Sequence, residues 1–226
     1  MDSSSPSIDL MLSSGFLAFA RHLGVLESLE TEGWNVQGVC GTSSGALVGA
    51  LYASGMSLKE IAEELSAQVP LTQLAFHATP WKGMFSLRRV VKRLHDWLPA
   101  RFSDLERPFA VGVMGADGQH VLLRQGALPE AVAASCAIPM VFAPVLVEGV
   151  PYQDGGFVDR LGAAAWTDWR GPRPTVVHLV DRSNGAPTPP PENALLIRTP
   201  RSGAQFWSLG DFHGQIQEAR SLADQA

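Results

Sequence analysis

Cysteine is almost missing from this chain: Cys40 and Cys136 are the only two among 226 residues. Both lie in apolar stretches and read as buried free thiols, which excludes a disulfide framework. Clusters of ligands at metal-binding spacing are lacking too, so neither a metal nor another cofactor is expected. No run approaches the ~20 consecutive apolar residues of a membrane-spanning helix. The start, Met1-Asp2-Ser3-Ser4-Ser5-Pro6, has neither the basic nor the apolar region of a signal peptide. The expectation is a cytoplasmic protein that meets a membrane, if at all, from its surface. Positive charge is in deficit, with 17 Lys and Arg against 22 Asp and Glu and a net charge of -5. That argues against nucleic acid as a partner. Apolar residues are not scarce, at 46% against 17% charged, so one globular domain over 1–226 can bury a sizeable core. There is no internal repeat, and nothing in the sequence sets an oligomeric state.

Hydrophobic periodicity predicts alternating strands and helices. Strands are expected at 8–13, 36–40, 174–180 and 194–198. Helices are expected at 16–32, where Phe16, Phe19, Leu23, Leu26 and Leu29 share a face, and from the Ser57–Glu60 capping box to about Gln68. A further amphipathic helix carries Leu87, Val90, Val91, Leu94, Trp97 and Leu98. Hairpins are signalled at 109–124 and 144–153 by Gly-containing turns. A short helix at 129–136, a proline-rich loop at 188–192 and a C-terminal helix at 205–223 complete the pattern; 69–85 reads as irregular. The alternation predicts an α/β layered fold with a mixed sheet.

The most informative segment is Gly41-Thr42-Ser43-Ser44-Gly45, between the strand at 36–40 and the small-residue helix at 46–53. A serine between glycines at a strand-to-helix junction reads as a nucleophile elbow. Gly41 and Gly45 relieve crowding at the sharp turn. The helix start aims free N–H groups and a positive dipole end at charge forming near the serine oxygen. The pattern alone also describes a glycine-rich turn that lets a helix approach a sheet. Asp154-Gly155-Gly156, at the end of the strand at 150–153, places a carboxylate where a general base would stand, although such a run is also an ordinary turn.

Together these motifs and their surroundings resemble the patatin-like phospholipases. The resemblance rests on Ala134-Ser135-Cys136-Ala137-Ile138-Pro139-Met140-Val141-Phe142-Ala143-Pro144, followed by Asp154-Gly155-Gly156. The run His22-Leu23-Gly24-Val25-Leu26 resembles the family's first helix. The similarity covers about residues 8–160, with the motifs in family order. It implies a three-layer α/β/α sandwich with a mixed, mainly parallel sheet. It also implies hydrolysis of lipid acyl esters through an acyl-enzyme, with Ser43 as nucleophile, Asp154 as base and no catalytic histidine. One departure concerns the oxyanion loop, where the family usually has a glycine triplet and then a basic residue. Here Ser13-Ser14-Gly15-Phe16-Leu17-Ala18 has neither. Backbone N–H groups, not side chains, make such a hole, so Gly15 and Phe16, with Ser44, are the expected donors.

Rival readings stay open. A broad short-chain carboxylesterase or an acyltransferase would use the same dyad; a non-catalytic lipid-binding regulatory module would keep the fold without turnover. The order Ser43, Asp154, His178 also matches an α/β-hydrolase triad, but His178 falls inside a strand. His22, His77, His95, His120 and His213 read as structural or exposed. Finally, residues 81–101 concentrate Lys82, Arg88, Arg89, Lys92, Arg93 and Arg101 against Asp96 alone, with Trp81, Phe85 and Trp97 among them. This suits a helix resting on an anionic membrane, with Trp81, Arg88, Arg89, Lys92 and Arg93 as contacts; it also suits an ordinary solvated helix face.

Overall fold

A computed structural model describes residues 6–67, 75–76, 85–182 and 189–226. The β-branched and apolar runs become the central strands β1 (Ser7–Leu12), β2 (Asn35–Thr42), β5 (Phe109–Met114), β9 (Thr175–Val180) and β10 (Leu195–Thr199). All five are parallel, in the order β10-β9-β1-β2-β5. Two hairpins extend this sheet. β6 (His120–Leu123) pairs antiparallel with β5, as does β8 (Val150–Asp154), which is joined by β7 (Val145–Val147). The described residues thus hold a mixed, mainly parallel eight-stranded sheet with helices on both faces, an α/β/α sandwich. A separate two-stranded pair, β3 (Ala75–Phe76) and β4 (Phe85–Ser86), overlaps the stretch 69–85 read as irregular.

Strand alternation divides the core. Leu10, Leu12, Val39, Val111, Val176 and Ile197 turn to one face. That face is covered by α1 (Phe19–Thr31), α2 (Ser44–Ala53), α3 (Leu58–Ser66), α5 (Leu128–Ser135) and α7 (Phe212–Ala223). The interleaved Met11, Cys40, Ala110 and Val177 face the other way, onto Leu161 and Trp166. α4 (Arg88–Trp97) lies beside α5, and the Ser57–Glu60 capping box opens α3 as expected. Gly24 brings α1 against α7 so closely that a β-carbon would meet the Ile216 carbonyl at 2.2 Å.

Several expectations need correction. The first helix begins at Phe19, not Phe16, because Gly15 to Leu17 are drawn into a turn with Leu17 at φ 48°. The last helix begins at Phe212, not Gln205, because Gln205 and Ser208 exchange backbone hydrogen bonds in a tight turn first. Helix α6 (Ala163–Arg170) was not foreseen. Its start is organised by Asp159, whose carboxylate accepts from the N–H groups of Leu161 and Gly162. Its Trp166 and Arg170 close over Asp9 of β1: Trp166 Nε1–H donates to Oδ2 at 3.0 Å and Arg170 donates to both oxygens. Thr188, the first residue of the proline-rich loop, lies outside the described residues.

Candidate active site

The elbow is built by close backbone approach. A β-carbon on Gly41 would sit 2.4 Å from the Gly45 carbonyl oxygen, and one on Gly45 would sit 2.2 Å from that of Leu12. With both positions limited to glycine, α2 starts directly on the end of β2. Ser43, at the turn, is held at φ 56°, ψ -119°, a region that costs a non-glycine residue ~1–3 kcal/mol and persists only when neighbours enforce it. They do. Ser43 N–H donates to Ser135 Oγ at 2.8 Å, and that hydroxyl donates to the Gly112 carbonyl of β5 at 2.7 Å. Ser135 thereby ties the elbow to the sheet.

Asp154 reaches the same point from the other side. Register places it opposite Val113, one residue beyond the Thr42–Gly112 pair that precedes the elbow. The turn after it must lie on β5, and a β-carbon on Gly155 would stand 2.6 Å from the Gly112 carbonyl carbon. One on Gly156 would collide with the Ser14 side chain. Burial pushes the Asp154 carboxyl up to about 6 from 3.8. Hydrogen bonding to the Ser43 hydroxyl, the Gly156 N–H at 2.8 Å and the charge of Arg182 each hold it lower than burial alone would. The group is therefore an anion at neutral pH, yet basic enough to take a proton.

The loop 13–17 lies alongside. Gly15 and Phe16 line one cleft with Ser43 and Asp154. Ser44 is the first residue of α2, so its N–H has no partner within the helix. Gly15 does not sit in the left-handed region. It is required for space, because a β-carbon would meet Ala18 Cβ at 2.9 Å and Val180 at 3.2 Å. Arg160 fixes the loop from behind. Its guanidinium donates to the carbonyls of Ser14 and Val180 and to Ser14 Oγ, while Ser14 N–H donates to the Arg160 carbonyl. Burial lowers its pKa to about 10, which leaves it charged. The roles of Ser135 and Arg160 are not legible in the sequence because their partners lie far away along the chain.

Two spaces meet at Ser43. One is a narrow apolar cavity of about 150 Å³ walled by Leu47, Leu65, Leu94, Trp97, Phe142 and Leu209. The other is a cleft of about 660 Å³ with Asp154, Arg182 and Arg201 on its wall. Phe16, Ser43 and Ile138 belong to both. Cys136 also lines the apolar cavity. It is partly exposed, contrary to expectation, and its thiol is pushed up by burial and donates to the Ser43 carbonyl.

A patatin-like phospholipase family model matches residues 10–165. The chain belongs to the patatin-like phospholipase family. Among curated relatives of this patatin-like chain, an uncharacterized NTE family protein of Mycobacterium tuberculosis is 33% identical over 72% of this chain and 46% of its own length. Neuropathy target esterase sws of Drosophila melanogaster is 30% identical over 70% of this chain and 12% of its own. The chain thus spans about half the length, or less, of these relatives. YqhO of Bacillus subtilis is 28% identical over 96% of this chain and 83% of its own. VipD from Legionella pneumophila shares the fold at a TM-score of 0.61 and 13% identity, over 98% of this chain and 66% of VipD. Family membership supports lipid-hydrolase activity in general terms.

The remaining candidates of the patatin-like chain fall elsewhere. His178 is fully buried. Its Nδ1 meets His22 Nδ1 at 2.8 Å and its Nε2 meets Thr199 Oγ1 at 2.9 Å, so both ring nitrogens turn away from Ser43 and Asp154. His22 in turn meets Ser44 Oγ at 3.1 Å. Burial pushes His22 down to about 3 and His178 well below its ordinary value, so the pair is neutral. His95 pairs with Glu130, His213 is exposed and His77 lies outside the described residues. On α4, Arg88, Arg89 and Lys92 are exposed, whereas Arg93 bonds Glu64 and stacks on Trp97 in the cavity wall. Trp81 lies outside the described residues. Among the described residues no cluster of His, Cys, Asp or Glu could hold a metal, and no helix is long and apolar enough to cross a membrane.

Proposed function

We propose that this chain hydrolyses carboxylic esters of lipids through an acyl-enzyme, with Ser43 as nucleophile and Asp154 as its base. The observation that carries the reading is a strained serine facing a buried, partly basic carboxylate at the end of an apolar cavity. Ser43 Oγ attacks the ester carbonyl carbon while its proton passes to Asp154. The oxygen anion that forms takes hydrogen bonds from N–H groups among Gly15, Phe16 and Ser44. Collapse breaks the bond to the alcohol, which leaves with the proton from Asp154. Water, deprotonated by Asp154, then attacks the acyl-enzyme and regenerates Ser43. The apolar walls suit an acyl chain, and Arg182 and Arg201 suit a polar or anionic head.

The test pairs Ser43→Ala with Ser44→Ala on p-nitrophenyl esters of increasing chain length and a phospholipid panel. Ser43→Ala abolishes turnover and fluorophosphonate labelling; Ser44→Ala keeps most of both. The opposite result would remove the dyad. Rates that fall as the acyl chain lengthens would favour the short-chain carboxylesterase instead, and ester products formed with an added alcohol would favour the acyltransferase.

A further inference from the structure

Large apolar side chains exposed to water mark contact surfaces when they gather in one place. Among the described residues they are Phe16, Met140, Leu146, Val150, Phe157, Val158 and Trp207. Two of these seven line the spaces beside Ser43, and two more, Met140 and Trp207, stand within two residues of a lining residue. Phe16 lines both spaces and Phe157 lines the cleft. Met140 lies two residues from Ile138, which lines both, and Trp207 follows Phe206, which lines the cavity.

These side chains are presented by rigid turns. Met140, 84% exposed, sits at φ 67° in a turn closed by Val141 and Phe142 N–H groups donating to the Ile138 carbonyl, with Phe142 buried beneath. Trp207, 66% exposed, is at the tip of the Gln205–Ser208 turn. Its neighbour Phe206 is turned inward, edge-on to Phe16 at 5.0 Å. Phe157 and Val158 follow Asp154 in a 3-10 turn. Arg182 and Arg201 line the cleft beside Asp154 and Asp181. The apolar side of α4, with Val90, Leu94 and Trp97, faces the cavity, which leaves Arg88 and Lys92 on the opposite side of that helix.

We propose that this rim, with Met140, Phe157 and Trp207 as its outermost contacts, docks on the surface of a phospholipid bilayer. The apolar side chains enter the interface and the two arginines meet lipid phosphates. The basic side of α4 is not the docking face. Docked this way, the mouth opens into lipid and an acyl chain reaches Ser43 without crossing water. The inference rests on the lipid-hydrolase reading for its purpose, but its test does not.

In a Ser43→Ala background, binding to vesicles of phosphatidylcholine and phosphatidylglycerol is measured by flotation for three proteins: the parent, Met140→Ser/Trp207→Ser, and Arg88→Glu/Lys92→Glu. The rim variant is expected to bind at least ~10-fold more weakly, since two large side chains no longer leave water, and the α4 variant to bind like the parent. With Ser43 intact, the rim variant should turn over a soluble short-chain ester at the parent rate and vesicle lipid at least ~10-fold more slowly. Equal vesicle binding by the rim variant overturns the proposal, as does loss of binding by the α4 variant alone. So does a parent that ignores vesicles but dimerises through Met140 and Trp207 in light scattering. A parent that binds vesicles through the rim yet hydrolyses no ester and takes no fluorophosphonate would sink the hydrolase reading and leave the docking face standing.

Discussion

Replacing Asp154 by Asn separates what the carboxylate contributes to chemistry from what it costs the fold. In the folded chain its pKa is about 6 against 3.8 for a free side chain, with burial as the leading cause. A carboxyl raised on folding binds its proton more tightly in the native state. The native state is therefore favoured at low pH and loses stability as pH rises from 3.8 through about 6. Above that window the loss is complete, at about 3 kcal/mol for a shift of about two units. Asn keeps an oxygen for the Gly156 N–H and carries no charge to bury. Asp154→Asn should thus be more stable than the parent by about 1 kcal/mol at pH 4.5 and about 3 kcal/mol at pH 8. For a chain of this size that is ~6–12 °C in Tm at the higher pH. Acid loosening from His22 and His178, which must take up protons on unfolding below their ordinary pKa, affects both proteins alike and cancels in the difference. Turnover should fall by ~10²–10⁴, because an amide cannot accept the serine proton, and kcat/KM of the parent should fall on the acid side of pH 6, where Asp154 is protonated. Urea titrations from pH 4.5 to 8 give the stability difference. A folded Asp154→Asn variant whose advantage is absent or does not grow with pH would refute the idea that burial sets this carboxyl.

Ser135→Ala removes the oxygen that accepts from Ser43 N–H and the hydroxyl that donates to Gly112; kcat should drop ~10-fold with KM nearly unchanged and stability should fall by ~1–3 kcal/mol, and a folded variant with the parent kcat would mean that α2 alone holds the elbow. Gly15→Val drives a side chain into Ala18 and Val180, displacing the loop at a cost of ~10²–10³ in kcat on a soluble ester, with Ser14→Ala mild and circular dichroism as the folding control; an unchanged kcat would put the oxyanion donors elsewhere. Arg170→Met leaves the buried Asp9 carboxylate with Trp166 Nε1–H as its remaining partner in α6 and should cost ~3–5 kcal/mol in urea unfolding, part of it restored by adding Asp9→Asn; a neutral single variant would show that water reaches Asp9.

The sequence by itself determined the elements whose signals are local. The strands around 8–13, 36–40 and 174–180 show as short runs rich in apolar residues, the Ser57–Glu60 box announces α3, and glycine-bearing turns announce both hairpins. The elbow was legible for the same reason: Gly41 and Gly45 flank Ser43 within five residues. Helix α6 was not legible, since its Trp166 and Arg170 are held by Asp9, a partner more than 150 positions away. The starts of α1 and α7 were misplaced because turns that serve the mouth override helical periodicity there. Only the tertiary structure brings Asp154 beside Ser43, by pairing β8 antiparallel to β5, and only it shows Ser135 and Arg160 holding the backbone around them. It also turns His178 away from both and onto His22. Local pattern records where a residue would be buried, but burial alone does not name the partner. That choice belongs to strand order and register, which depend on contacts between segments that the sequence keeps far apart.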